Sequence, residues 1–152
     1  MADFYVDTSA LLRYFIAEPG HAWMRSLLAK HDTVVITSQI SLIETFSALN
    51  RRLRESTLTN ADYQDLASEV ELAFANNYQV LLLVDDIVIR ACQLIERHPL
   101  RAYNAVQLAT ALFSVEALQL RELPPHTFLC SDQRLLNAAV AEGLSVDNPS
   151  SH

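Results

Sequence analysis

Apolar residues alternate along this chain between short β-prone runs and longer stretches with helical spacing. Phe4 to Val6 is a β-prone run that ends at Asp7. From Thr8-Ser9 to about Glu18 the spacing is helical, with Leu11, Leu12 and Phe15 on one face, and Pro19-Gly20 breaks it. His21 to His31 reads as a second helix carrying Trp23, Leu27 and Leu28. Thr33 to Thr37 is a β-branched strand, and Ser38 caps a helix that runs to about Arg54. Thr59 to Ala75 is helical, with Thr59 and Asp62 spaced as a capping box. The run QVLLLV, Gln79 to Val84, predicts a strand, and Asp85 or Asp86 caps a helix ending before Pro99. Arg101 to about Leu120 is a long helix ended by Pro124-Pro125. Thr127 to Cys130 is a strand, Gln133 to Glu142 a helix ending at Gly143, and Leu144 to Val146 a last short strand.

Strands that read as continuous apolar runs, separated by helices, predict an α/β fold. The central sheet is parallel and covered by helices on both faces. The chain has 152 residues, 51% hydrophobic and 19% charged, which is enough for one core without staples. One domain over 1–147 is expected, with 148–152 as a frayed tail. No apolar run approaches a membrane span, and MADFYVD is no secretory signal, so a cytoplasmic protein is expected. Cys92 and Cys130 are too few and too far apart for a zinc or disulfide framework and read as reduced core thiols.

Composition removes several activities. Two glycines, Gly20 and Gly143, leave no room for a dinucleotide fingerprint, a Walker A loop or a GxSxG elbow. The net charge of −7 argues against a broad basic nucleic-acid surface, although not against an acidic metal site that meets phosphate through a cation. A receiver domain would need a lysine late in the chain, and the only lysine is Lys30. A haloacid-dehalogenase-type phosphatase would need an Asp where Ser9 stands.

The chemistry that remains lies at strand ends. Asp7 follows the first strand and Asp132 follows TFLCS, so both sit at the carboxyl edge of the sheet, where open α/β sheets collect ligands. Each also precedes a helix, where Asp serves as an N-cap. Glu44 stands among Ile40, Ile43, Ser47 and Ala48 with no Lys or Arg within four residues. A carboxylate there reaches water, binds a metal or acts as a base. Asn104, in the first turn of its helix, either bonds free backbone N–H groups or offers a neutral oxygen to a cation.

Four segments in this order and spacing, YVDTSALLRYF, SLIETFSAL, LRAYNAVQLATALF and FLCSDQRLLNAAVAEGL, resemble the PIN domain. The resemblance is specifically to VapC-type toxin ribonucleases of bacterial toxin–antitoxin pairs, and it covers essentially the whole chain. It implies a three-layer αβα fold with a central parallel sheet. It also implies an endoribonuclease using Mg²⁺ or Mn²⁺, with an acidic quartet falling on Asp7, Glu44, Asn104 and Asp132. Asp7 would be the central metal ligand, with Asp132 and Asn104 beside it. Glu44 would orient or deprotonate the water, and Thr8 and Ser131 would support the ligands from behind. Arg51, two turns beyond Glu44 on nearly the same helix face, would meet an RNA phosphate, or else simply complement its helix C-terminus.

Asn104 departs from the family pattern, which typically has Asp there. The exchange preserves shape and removes one negative charge from a cation site, so a weakened enzyme, or a PIN domain that binds RNA or antitoxin without cutting, is the competing expectation. The resemblance also implies a homodimer and a cognate antitoxin. Tyr14, Phe15 and Trp23 are either core or the anchors of a groove beside the acidic cluster for an antitoxin segment.

Overall fold

A computed structural model describes residues 2–152. Five strands form one parallel sheet: β1 (Ala2–Val6), β2 (Thr33–Ser38), β3 (Tyr78–Leu81), β4 (Thr127–Leu129) and β5 (Val146–Asp147). Their order is β3-β2-β1-β4-β5. Among the described residues there are seven α-helices, α1 (Thr8–Phe15), α2 (His21–Leu28), α3 (Gln39–Arg54), α4 (Asn60–Leu72), α5 (Asp85–Arg97), α6 (Ala102–Leu120) and α7 (Gln133–Ala141). The chain builds outward from β1 through β2 to β3, then returns through α5 and α6 to lay β4 on the other side of β1. The strand order therefore reverses between β1 and β4, and their carboxyl ends flank the crevice this creates.

Side-chain alternation along the strands sorts the core into two layers. Tyr5, Ile36 and Phe128, adjacent in register, join Leu94, Leu108 and Leu135 under α5, α6 and α7. Val6, Val35 and Leu129 face the other way against Leu11 and Met24 of α1 and α2. A third cluster, including Phe15, Leu49 and Val70, joins α1 to α3 and α4. The parallel, doubly covered sheet expected from the apolar runs is thus what forms.

Several boundaries differ from expectation. Helix α1 stops at Phe15 and α2 at Leu28. Helix α4 ends at Leu72 and passes into a π-helical turn over Ala73–Asn77, while Thr59 caps it through a bond from the Asp62 N–H. The QVLLLV run does not form a strand throughout: β3 is a sheet edge ending at Leu81, and Leu82, Leu83 and Val84 are exposed. As an edge strand it pairs only with β2, which ends at Ser38 opposite Leu81, so nothing continues the ladder. Neither Asp85 nor Asp86 caps α5. Val84 holds the cap position and both acids lie in the first turn, where they complement the helix dipole. Cys130 is buried as expected, whereas Cys92 is exposed on α5.

The last residues are not frayed. Pro149–Ser151 form a 3₁₀ turn capped by Asn148, and Pro149 is buried. His152 stacks flat on Trp23, ring centroids 4.1 Å apart and 3° from parallel. Gly20 makes this docking possible: its φ is +94°, and a Cβ there would lie 2.4 Å from the Pro149 carbonyl oxygen.

Candidate active site

Asp7 ends β1, and its Oδ1 accepts the Ala10 N–H at 3.0 Å, capping α1. Asp132 does the same one strand over, its Oδ1 accepting the Leu135 N–H at 3.1 Å to cap α7. The cap and ligand readings are therefore not alternatives. Each carboxylate holds its helix through Oδ1 alone while its residue lines the cleft. Asp7 is 3% exposed. Burial pushes its carboxyl up to about 6, against the lowering effect of the Ser9 hydroxyl, the Ala10 N–H and the Cys130 thiol; the Glu44 charge raises it further.

Glu44 projects from α3 and is anchored through Oε1. The Thr8 hydroxyl donates to that oxygen at 2.9 Å, and the Gln107 amide donates at 3.0 Å. Gln107, 1% exposed, is the hub of a buried polar cluster. Its Nε2 also lies 2.9 Å from Ser41 Oγ and 3.1 Å from Thr8 Oγ1, while its Oε1 accepts the Tyr5 phenol at 2.7 Å. Ser41 continues to Thr37, which donates to the Val6 carbonyl at 2.7 Å. This network ties α6, α3, β2 and β1 together beneath the carboxylates. Gln107 escaped the sequence reading, although its place as the one amide in AVQLATAL was a usable signal.

Asn104 sits in the first turn of α6, and its amide nitrogen faces Asp132 Oδ2 at 3.4 Å. Asp7, Glu44, Asn104 and Asp132 all line one open cleft of about 950 Å³. The supporting hydroxyls are distributed differently from expectation. Thr8 lines the cleft but serves Glu44 instead of its neighbour Asp7. Ser131 does not line it; its hydroxyl pairs with Ser150 at 3.3 Å. Ser9 takes the role expected of Thr8, donating to Asp7 Oδ1 at 2.7 Å, and it accepts the Ser131 N–H at 2.8 Å.

The rim is basic. Arg51 lines the cleft as expected, and so do Arg101 and Arg134, which the sequence reading missed. Arg13, Arg25, Arg52, Arg90 and Arg97 form ion pairs, and none of them lines this cleft. Among the described residues, Arg51, Arg101 and Arg134 have no carboxylate partner. Tyr14, Phe15 and Trp23 do not line the cleft either. They pack against the α1–α4 side of the core, and Trp23 is capped by His152, so the aromatic groove expected beside the acids is absent there.

Among the described residues, no three carboxylate, imidazole or thiol groups gather tightly enough to hold an ion by themselves. The donors available to a cation are the Asp7 and Asp132 carboxylates with the Asn104 amide oxygen, and Glu44 further along the cleft. Two carboxylates plus water suit Mg²⁺, which commonly keeps several waters, so the donor set fits one hard cation better than two.

The PIN domain family matches residues 4–118, and the chain belongs to that family. Solved structures share the fold. The sarcin–ricin-loop-cleaving toxin VapC20 of Mycobacterium tuberculosis superposes with a TM-score of 0.64 at 20% identity, covering 93% of this chain and 95% of that one. FitAcB of Neisseria gonorrhoeae gives 0.62 at 18% identity, covering 96% and 97%. A toxin–antitoxin complex of Klebsiella pneumoniae gives 0.58 at 18% identity, covering 98% of both chains. No curated protein matches the sequence. Among the described residues, no helix is long and apolar enough to cross a membrane.

Proposed function

We propose that this PIN domain is a divalent-metal-dependent endoribonuclease, the toxin of a toxin–antitoxin pair acting in the cytoplasm. The observation that carries the reading is one cleft that combines Asp7, Glu44, Asn104 and Asp132 with three arginines lacking acidic partners. An acidic floor under a basic rim suits a phosphodiester: the rim holds flanking phosphates while the floor meets the scissile one.

Asp7, Asp132 and Asn104 would hold Mg²⁺ or Mn²⁺. Such an ion, when bound, lowers the pKa of a water and offsets the charge that develops on the phosphate. Asp7 and Asp132 present fixed oxygens because each is locked by its own helix cap. Thr8 and Gln107 pin one oxygen of Glu44, which leaves the other to orient the attacking water and accept its proton. Arg51, Arg101 and Arg134 would clamp the backbone on either side.

The likeness to VapC20 and to toxin–antitoxin complexes supports an antitoxin partner. A homodimer is part of the same proposal. Leu82, Leu83, Val84, Val88 and Ile89, exposed after β3 and on α5, are apolar side chains such an interface would cover.

The contact between Asn104 and Asp132 favours a second reading, in which the domain binds RNA or antitoxin without cutting. An amide satisfies Asp132 directly, where a carboxylate would require a cation between them. RNA cleavage by the protein and by Asn104→Asp, each with Mg²⁺ and with Mn²⁺, separates the two. Cleavage by the unaltered chain supports the enzyme, and cleavage only after the substitution supports the binding module.

A further inference from the structure

We propose that Tyr103 is the stacking platform for a nucleobase next to the phosphate held in the cleft, a specificity-determining contact that rests on the ribonuclease reading. The chain has five tyrosines, and four of them serve the fold. Tyr5 is buried and bonds Gln107. Tyr14 packs in the α1–α2 layer with Arg25 over its ring, Tyr63 bonds Asn50, and Tyr78 meets Phe74 edge to face. Tyr103 does none of this. It belongs to no core cluster, and among the described residues it has no ring neighbour and no hydrogen-bond partner. It is 58% exposed and lines the cleft, one residue before Asn104.

A ring without packing partners that stands in the same cleft as the carboxylates and arginines has a whole face free for a ligand. That ligand must offer a flat π face, because Tyr103 stands out as a single ring with no pocket of its own. It must also carry negative charge, because Arg101 and Arg134 line the same cleft. A nucleotide in a single strand meets both conditions. Its base stacks on the ring while its phosphates reach the arginines. A paired base keeps its faces covered by neighbours and cannot stack there, so the contact selects unpaired positions.

Short single-stranded RNAs carrying 2-aminopurine at successive positions, titrated in EDTA so that no cleavage intervenes, test this. At one position the native protein and Tyr103→Phe should quench the fluorescence. Tyr103→Ala and Tyr103→Leu should lose the quench and bind about tenfold more weakly, in line with the usual cost of losing one stacked base. A blunt duplex should bind all four proteins alike. Unchanged single-strand affinity in Tyr103→Ala overturns the proposal, as does full retention by Tyr103→Leu, which would reduce the contact to simple apolar area. Loss of antitoxin binding with RNA binding intact overturns it in favour of a protein anchor. Arg51→Glu and Arg134→Glu keep the two levels apart. If these abolish RNA binding while Tyr103→Ala does not, only the platform fails. If no RNA binds, or binding ignores the arginines, the cleft reading fails as well.

Discussion

The Asn104 amide nitrogen lies 3.4 Å from a carboxylate oxygen of Asp132, closing the crevice between α6 and the end of β4 with a polar contact and no added charge. An aspartate in place of Asn104 would set two carboxylates against each other, a repulsion of about 2 kcal/mol once side chains relax. Asn104→Asp should therefore lower urea stability by about that amount in EDTA and bind Mn²⁺ more tightly in calorimetry. Equal or weaker Mn²⁺ binding would mean that Asn104 is a fitted ligand.

Gln107 gives a test of the buried network. Gln107→Leu keeps the volume but strands the Tyr5 phenol and frees Glu44, so the fold should lose about 2–3 kcal/mol. Adding Tyr5→Phe removes the stranded hydroxyl and should restore about 1 kcal/mol of that loss. Simple additivity of the two changes in chemical denaturation would show that the contact carries no coupling.

How far the sequence revealed this arrangement depended on the range of each signal. Asp7, Glu44 and Asp132 were legible because carboxylates at strand ends or on apolar helix faces are locally conspicuous. Arg101, Arg134 and Gln107 were not, since nothing local says which arginine lacks a partner or which glutamine is buried; both facts arise from packing across the cleft. The QVLLLV run misled because an edge strand and a central one have the same composition. The tail misled because its order comes from Trp23 and Gly20, more than a hundred residues away.

That tail supplies the next expectation. Gly20→Ala forces a side chain against the Pro149 carbonyl and strains a backbone at φ +94°. It should cost more than about 1 kcal/mol and unstack His152 from Trp23. Fluorescence of Trp23, the only tryptophan, reads the second effect directly. An unchanged spectrum together with an unchanged melting temperature would show that the tail does not dock there.

His126 sets an acid limit. It is 2% exposed, both ring nitrogens lack partners, and burial lowers its pKa to about 4 from 6.5. Below pH 6.5 the unfolded chain takes a proton that the folded one refuses. The stability this histidine confers is therefore complete above 6.5 and is lost as pH falls to 4, by up to about 3 kcal/mol. Asp7, raised to about 6, opposes this over nearly the same range, so His126→Phe should tilt that part of the stability–pH curve toward greater stability in acid. An unaltered slope would assign the acid sensitivity to other groups.

The central claim is that this cleft cuts RNA with the help of a divalent cation, and the most direct measurement is end-mapped cleavage of a structured RNA with Mn²⁺, comparing the protein with Asp7→Asn. The account predicts internal cuts that disappear in EDTA and in the folded Asp7→Asn protein. Cuts that persist in Asp7→Asn at the same positions and rate would contradict it.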